Sequence, residues 1–235
     1  MKTVIVQSQD AVTVLGGGSV TRRDLAFAMA RAPVLVAADG GADRALAAGL
    51  MPQAVIGDFD SLSDSAKRSL PQDRLFHITE QLTTDFDKAL RSVEAPFVLA
   101  VGVTGARLDH GLAVLNALVR HQGNPCVVIG PQDVAFHVPE AVTLHMMPGD
   151  RLSLFPMAPV SGTSTGLDWP IDGLHFAPGG VIGTSNRVNA REVRLRFNQP
   201  GMLVIVPRAR LDRVISALVP QWRGPHRAPP GVRGK

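Results

Sequence analysis

The sequence predicts an α/β fold in which an N-terminal, mostly parallel sheet with helices on both faces is followed by a C-terminal antiparallel β-sandwich. From Ala11 to Gly130, short β-rich runs alternate with helical patterns, as in sheets built from strand–helix–strand units. From 134 to 206, β-like runs follow one another between Gly and Pro turns, with no convincing helix. The hydrophobic share of 45% in 235 residues supplies enough apolar material for a core.

The strands of the first part are short apolar runs that end at polar or glycine-rich positions. We predict them at AVTVL, VLVAA, AVI, RLFHI, FVLAV and CVVIG.

Helix start and stop signals separate these strands. Thr21, Ser63 and Thr84 are candidate N-caps, and Gly49 and Gly123 are candidate helix ends. The last helix of this part carries apolar residues at a helical spacing that predicts one buried face: Leu112, Leu115 and Val119.

The second part consists of β-runs and one closing helix. The predicted strands are VAFHV, VTLHM, RLSLF, EVRLRF and MLVIV, and the amphipathic helix carries Leu211, Val214, Ile215 and Leu218. The predicted domains are therefore residues 1–133, residues 134–219 and a tail at 220–235.

The net charge of +4 is a property of that tail. Its cations are Arg223, Arg227, Arg233 and Lys235, it has no acid, and the remaining chain balances 20 cations against 20 acids. The tail lacks periodic apolar residues, so we predict that it is disordered. No nucleic-acid partner is expected, although RNA or acidic-lipid binding by the tail stays open beside a solubilising role.

The single cysteine, Cys126, excludes an intramolecular disulfide and is expected to be buried and inert. The N-terminal apolar run is too short for a signal peptide, and no segment reaches the about 18 apolar residues of a membrane span. We expect a soluble, cytoplasmic protein that does not act at a membrane.

Carboxylates follow four of the predicted parallel strands. Open sheets of this Rossmann-like type bind ligands beyond the carboxyl ends of their strands. The residues expected at this edge are Gly16, Gly17, Gly18, Ser19, Asp39, Asp58, Asp60, Asp85, Arg107 and Asp109.

The aspartates at this edge predict a magnesium site. In an extended segment Asp58 and Asp60 would point the same way, so a cation is expected between them. Carboxylate oxygens suit Mg²⁺, which completes its shell with water and substrate phosphates, and Asp85 could share the ion. Each acid alone also fits an ordinary role, in a turn for Asp58 and Asp60 or in the first turn of a helix for Asp85.

Cations near these acids point to a phosphate-bearing ligand. Lys88 and Arg107 would bind phosphate oxygens; the alternative for Arg107 is a salt bridge to Asp109. The run Gly16–Gly18 fits either a phosphate contact or a tight turn, because the chain has neither the full dinucleotide fingerprint nor a Walker A sequence.

An ordered series of motifs resembles the thiamine pyrophosphokinase family. The motifs are DGGAD (39–43), GDFDSL (57–62), TTDFDKAL (83–90), GARLDH (105–110), STGLDWPI (164–171) and GTSN (183–186). The resemblance implies a catalytic, nucleotide-binding α/β domain, a thiamine-binding β-sandwich, and a homodimer with active sites between subunits. It also implies the Mg²⁺-dependent conversion of ATP and thiamine to AMP and thiamine diphosphate.

The resemblance also implies roles for single residues. Asp58, Asp60 and Asp85 correspond to metal and phosphate ligands. The neighbours of the triphosphate and the reacting hydroxyl are Thr84, Lys88, Arg107 and Asp109. Asp39 is implied as an acid near thiamine, and Ser185 with Asn186 as a thiamine-contacting loop from the partner subunit.

Three further assignments remain open in the sequence. Trp169 could face the thiazolium ring, or it could be a buried or a hinge-packing tryptophan. His110 could touch phosphate or pack at a helix start, and the hydroxyl proton could pass to Asp58 or Asp109.

The chain departs from the family pattern at two positions, Leu82 where an acid is expected and Val114 where asparagine is frequent. With Leu82 in place of an acid, one potential carboxylate ligand is missing, which affects the number of metal ions that the site could hold. The competing functions are another Mg²⁺-dependent Asp-x-Asp transferase, for example on nucleotide sugars, and a non-catalytic nucleotide or thiamine sensor.

Overall fold

The computed structural model describes residues 4–105 and 107–225, and the first half of these forms the predicted strand–helix alternation. The elements are β1 (Val6–Gln7), β2 (Val12–Leu15), α1 (Arg22–Met29), β3 (Val34–Ala38), α2 (Gly41–Ala47), β4 (Ala54–Gly57), α3 (Asp64–Ser69), a 3-10 turn (Gln72–Arg74), β5 (Leu75–His77), α4 (Asp85–Arg91), β6 (Val93–Glu94), β7 (Val98–Val101), α5 (Leu108–Arg120) and β8 (Cys126–Ile129).

The second half is β-rich and ends in one helix. Its elements are β9 (Asp133–Val138), β10 (Ala141–His145), β11 (Arg151–Pro156), β12 (Val160–Thr165), β13 (His175–Phe176), β14 (Gly183–Arg187), β15 (Glu192–Phe197), β16 (Met202–Pro207), a 3-10 turn (Arg208–Arg210) and α6 (Leu211–Leu218).

One ten-stranded sheet runs through both halves, in the order β14-β11-β16-β9-β8-β7-β2-β3-β4-β5. The six strands from β8 to β5 are parallel, and β9 joins β8 antiparallel. A second, four-stranded antiparallel sheet has the order β10-β15-β12-β13. The predicted fold class is confirmed, with the addition that the parallel sheet continues directly into the sandwich.

The predicted N-caps start their helices as expected. The hydroxyl of Thr21 accepts a hydrogen bond from the N–H of Asp24, and the carboxylate of Asp24 accepts one from the N–H of Thr21. This pair of bonds is a capping box. Ser63 caps α3 and Thr84 caps α4 through the same kind of bond. The sequence therefore located these helix starts correctly.

The buried face of α5 agrees with the prediction in part. Its buried residues are Val114, Ala117 and Leu118, which pack with the apolar residues of β7 and β8, and the predicted Leu115 and Val119 are partly buried against the same core, whereas Leu112 is 56% exposed. Apolar residues surround much of this helix, so periodicity alone did not select the face that packs on the sheet.

Five strands escaped the sequence analysis: β1, β6, β12, β13 and β14. β1 and β6 have two residues each and pair only with each other in the described chain. The sequences of β12 (VSGTST) and β14 (GTSNR) are polar and lack the apolar alternation that marks a strand.

The beginning of the predicted tail is packed. The Trp222 ring meets Phe97 edge to face, with 6.3 Å between centroids. This corrects the prediction of disorder for the start of the tail, and residues 226–235 lie outside the described residues. No helix within the described ranges has the length and apolar character needed to cross a bilayer.

Gly41 permits a close approach between α2 and β2. A Cβ at this position would lie 2.0 Å from the carbonyl oxygen of Leu15. We therefore expect Gly41→Ala to destabilise the protein by about 3 kcal/mol or more in chemical denaturation. In Gly111→Ala, on α5, the added methyl meets nothing within 4 Å, and a stabilisation of about 0.5–1 kcal/mol is expected. Equal stability of the two variants would contradict the steric explanation.

Candidate active site

A cleft of about 810 Å³ opens at the carboxyl ends of the parallel strands. It lies where the chain order of the strands reverses, between β2 and β7, and this switch point is the usual ligand site of such sheets. Its lining includes Gly16, Gly17, Gly18, Ser19, Asp39, Asp43, Arg44, Ser61, Ser63, Thr84, Asp85, Arg107 and His110. The strand-end rule thus located the cleft correctly.

Three aspartates from two strand ends form an acidic cluster next to the cleft; of the three, Asp39 belongs to the cleft lining, whereas Asp58 and Asp60 do not. Asp39, Asp58 and Asp60 each place one carboxylate oxygen within 4.8 Å of the others. The sequence predicted an extended backbone at Asp58 and Asp60, but the backbone between them is a turn in which Phe59 has φ 64°. A left-handed non-glycine residue costs about 1–3 kcal/mol and often marks a functional site.

Asp39 is the buried member of the cluster and has φ 43°. Its Oδ2 accepts from the N–H of Ser61 at 3.0 Å, whereas its Oδ1 is buried and has no partner among the described residues. Burial raises the pKa of the Asp39 carboxyl, and repulsion from Asp85 and Asp60 adds to the rise, although the bond from Ser61 opposes it. An orphaned acceptor of this kind fits a site that takes up a cation.

Lys88 lies between two of the predicted metal ligands. Its Nζ is 3.0 Å from Asp58 Oδ2 and 3.0 Å from Asp85 Oδ1, and the side chain is only 1% exposed. Burial alone would lower the pKa of Lys88, but the hydrogen bonds that it donates to Asp85 and Asp58 raise it. The bond from Lys88 lowers the pKa of Asp58, against the effect of burial. Lys88 thus faces carboxylates rather than the open cleft.

Asp85 occupies a position beside the acidic cluster rather than within it. Its Oδ1 lies 3.1 Å from where a Cβ on Gly57 would be, next to Asp39. The sequence predicted that Asp58, Asp60 and Asp85 would meet. In the structure, the three acids that meet are Asp58, Asp60 and Asp39. The three carboxylates of the cluster, including the unpartnered buried oxygen of Asp39, match the preference of Mg²⁺ for hard oxygen donors.

Arg107 and Asp109 form the salt bridge that the sequence left open. Arg107 Nη2 is 2.6 Å from Asp109 Oδ2, and both side chains are exposed. The bond from Arg107 lowers the pKa of Asp109, which is thereby kept ionised. Arg107 and the exposed His110 also line the cleft, so the pair is accessible to a ligand.

The glycine-rich turn after β2 lets its backbone pack closely against the loop after β7. The N–H of Gly16 donates to Val101 and the N–H of Gly18 donates to Gly102, at 2.9 and 2.8 Å. A Cβ on Gly16 or Gly18 would lie 2.5 or 2.6 Å from the carbonyl oxygen of Gly102. These two N–H groups are occupied, which favours the tight-turn interpretation over a phosphate cradle.

Sequence analysis missed Arg44 and Asp43, which follow Asp39 on α2. Arg44 is exposed, lines the cleft, and has no carboxylate in salt-bridge range within the described ranges; its Nε reaches only the carbonyl of Gly17, at 3.4 Å. Asp43 accepts from the backbone and hydroxyl of Ser63 and joins α2 to the start of α3. The helical position of Arg44, one residue after the DGGAD motif, was the available signal.

The predicted thiamine-contacting residues lie outside this cleft. Trp169 is 59% exposed, so it is not a buried tryptophan. Asn186 is buried, and its side chain holds the Trp169 backbone, donating to the carbonyl at 2.6 Å and accepting from the N–H at 3.3 Å. Ser185 is exposed with φ 62°. Asn186 thus orients the Trp169 segment.

Leu82, where the family pattern has an acid, is 95% exposed and brings no donor to the acidic cluster. The neighbouring Glu80 bonds Arg91 and Thr83 instead of the cluster. No acid from this loop joins Asp39, Asp58 and Asp60 in the described chain.

Two family models match the chain and together cover most of it. "Thiamin pyrophosphokinase, catalytic domain" matches residues 25–129, and "Thiamin pyrophosphokinase, vitamin B1 binding domain" matches residues 136–202.

Individual relatives agree with these models. Thiamine pyrophosphokinase 1 of Oryza sativa subsp. japonica is 27% identical over 199 residues, covering 70% of this chain and 75% of that protein. The structure of thiamin pyrophosphokinase from Candida albicans superposes with a TM-score of 0.71 at 16% identity, covering 87% of this chain and 92% of the other. That from Geobacillus thermodenitrificans gives a TM-score of 0.68 at 24% identity, covering 84% and 96%.

Proposed function

The chain belongs to the thiamin pyrophosphokinase family, and from this premise we propose how its own residues carry out the family's reaction. The protein transfers the pyrophosphoryl group of ATP to the hydroxyl of thiamine, giving thiamine diphosphate and AMP. The observation that carries our assignment of the active site is the meeting of Asp39, Asp58 and Asp60 within 4.8 Å, with Asp39 in the lining of the switch-point cleft.

Mg²⁺ is the cofactor that these acids support. Asp39, Asp58 and Asp60 would hold the ion, with Asp85 close by, and the unpartnered Oδ1 of Asp39 offers a buried ligand. When bound, the ion would offset the charge of the polyphosphate oxygens. Lys88 holds Asp58 and Asp85 in place and lowers the pKa of Asp58, a positioning role that replaces the predicted contact with phosphate.

Arg107 and Arg44 are the proposed partners of the polyphosphate. Both line the cleft and both are exposed, so each can turn toward a ligand. Arginine presents a fork of donors that matches phosphate oxygens. Such groups catalyse the transfer by aligning ATP and by stabilising charge, since phosphoryl-type transfer needs little covalent help from the protein.

The chemical step joins the hydroxyl oxygen of thiamine to the β-phosphorus of ATP. The bond from the β-phosphorus to the oxygen bridging to the α-phosphorus breaks, and AMP leaves with that oxygen. The hydroxyl proton passes to a carboxylate. Asp58 and Asp109 each have a cation partner that lowers the pKa of the carboxyl, so both are ionised at neutral pH and able to accept a proton.

A second copy of the chain is the proposed source of the thiamine-binding residues. Within the described ranges, no residue after position 133 lines the cleft. The second half of the chain exposes five large apolar side chains, Met147, Trp169, Leu174, Val181 and Ile182, and α5 exposes Leu108 and Leu112 beside the cleft residue Arg107. Exposed apolar side chains in this number favour an interface. The homodimer is tested by its mass in solution, where two chains are expected and one would contradict it.

Trp169→Ala tests the thiamine contact. A cation over a tryptophan face is worth about 0.5–2 kcal/mol, so the KM for thiamine should rise roughly 2–30-fold. Because Trp169 is 59% exposed, thermal stability should change little. Trp222→Ala is the control, since that ring packs on Phe97 and its loss should lower stability instead. An unchanged KM in the folded Trp169 variant would remove this residue from the site.

One assay tests the function. The full chain is incubated with ATP, thiamine and Mg²⁺, and AMP and thiamine diphosphate are measured over time. Equal amounts of both products are expected. Transfer from a nucleotide sugar without AMP release, or binding of ATP or thiamine without turnover, would contradict the assigned reaction.

A further inference from the structure

The turn that carries Asp58 and Asp60 depends on a conformation that its central residue does not favour. Phe59 has φ 64°, in the left-handed region that bulky residues avoid. In this conformation of Phe59, both flanking carboxylates lie within 4.8 Å of Asp39. Something in the surrounding structure must therefore hold this turn.

His77, the last residue of β5, contacts the turn in two ways. Its ring stacks on the Phe59 ring, with 5.1 Å between centroids and 21° between planes. Its Nε2 lies 2.9 Å from the carbonyl oxygen of Asp58. Because a carbonyl oxygen only accepts, Nε2 carries the proton and donates it.

The sheet places His77 where it can make both contacts. β5 pairs with β4 in parallel, with His77 opposite Gly57, the residue just before Asp58. The N–H of Ile78, the residue after β5, donates to the carbonyl of Gly57 at 2.8 Å, so the chain on the C-terminal side of His77 is also held. Since His77 is absent from the cleft lining, its effect on a ligand must pass through the turn.

We propose that His77 is a positioning residue that holds the Asp58–Phe59–Asp60 turn in the conformation required for metal binding. The inference rests on the proposed use of these carboxylates for Mg²⁺. The ring fixes the Phe59 side chain, and the hydrogen bond fixes the peptide group that leads into it. Removing a residue that orients metal ligands without binding the metal itself typically weakens metal affinity 10–100-fold.

Three variants separate the two contacts. His77→Phe keeps a ring for stacking but loses the donor, His77→Gln keeps a donor of similar reach but loses the ring, and His77→Ala loses both. His145→Ala is the matched control, because His145 is an exposed histidine at the end of β10, in the four-stranded sheet.

The measurement is Mn²⁺ binding to the full chain without substrates, followed by the loss of the free Mn²⁺ signal in electron paramagnetic resonance. The Mg²⁺ concentration for half-maximal activity and the melting temperature are measured in parallel. His77→Ala should weaken Mn²⁺ binding about tenfold or more and raise the Mg²⁺ requirement in proportion. His77→Phe and His77→Gln should fall between it and the wild type, and His145→Ala should match the wild type.

Wild-type Mn²⁺ affinity in folded His77→Ala would overturn the proposal. If His77→Ala does not fold, wild-type affinity in both His77→Phe and His77→Gln would overturn it equally. A wild-type chain that binds Mn²⁺ but makes no thiamine diphosphate would contradict the assigned reaction while leaving the comparison of His77 variants valid.

Discussion

Asp60→Asn is expected to lower the formation of thiamine diphosphate at least about a hundredfold, the usual size of the loss when one essential electrostatic group is removed from an active site. Asp60 belongs to the acidic cluster, and asparagine keeps its shape while removing the charge. Product formation under saturating ATP, thiamine and Mg²⁺ measures the effect.

The fold should survive this substitution. Asp60 is exposed, and the one side-chain group that bonds its carboxylate in the described structure is the hydroxyl of the neighbouring Ser61. Asp64→Asn provides a matched control, because Asp64 is an exposed aspartate in the first turn of α3 and does not belong to the acidic cluster. Near-normal turnover in folded Asp60→Asn would exclude this carboxylate from the site.

Lys88→Met is expected to have the largest effect on stability, a loss of about 3–5 kcal/mol in denaturant unfolding. The change leaves Asp58 and Asp85 without the buried cation that both contact at 3.0 Å. Activity should be lost as well, since both carboxylates belong to the proposed site. Lys67 on α3 forms no salt bridge with the described residues. Lys67→Met should therefore change the free energy of unfolding by less than about 0.5 kcal/mol.

Neutralising the acids should reverse much of that loss. In Asp58→Asn, Asp85→Asn, Lys88→Met the buried charges are all removed, so the triple variant should be more stable than Lys88→Met alone. A triple variant no more stable than the single one would show that Lys88 acts through its packing and not through its charge.

The pH dependence of this ion-pair network follows from the directions of the pKa shifts. The pKa of Asp58 is lowered, so its contribution to stability is present above the unfolded value near 3.8 and is lost as pH falls. The pKa of Lys88 is raised, so its contribution is complete below the unfolded value near 10.5 and is lost as pH rises through the folded value. The stability difference between wild type and Lys88→Met should therefore be constant at neutral pH and shrink toward both extremes.

Much of the fold was predictable because local signals agreed with the tertiary structure. Thr21, Ser63 and Thr84 cap helices through their own side chains, and buried parallel strands such as β3 and β8 are continuous apolar runs. β12 and β14 were missed because their sequences are polar. Their pairing depends on neighbouring strands that are distant in sequence.

The site was predictable in position but not in its internal arrangement. The strand-end rule brings Asp39, Asp58 and Asp85 to one edge, and it needs only the order of the strands. It does not reveal that Phe59 is left-handed, that Lys88 turns inward between two acids, or that Asp39 joins Asp60. Those features depend on backbone angles and burial that arise only when the chain has folded.

The central claim is that Asp39, Asp58 and Asp60 hold a divalent cation that binds the polyphosphate of ATP. The most direct test is a crystal structure of the full chain with Mg²⁺ and α,β-methylene ATP, in which the bond that breaks is replaced by a stable one. An ion about 2.1 Å from oxygens of this cluster and from the polyphosphate is the predicted result. A polyphosphate bound elsewhere, with no ion at these three aspartates, would contradict it.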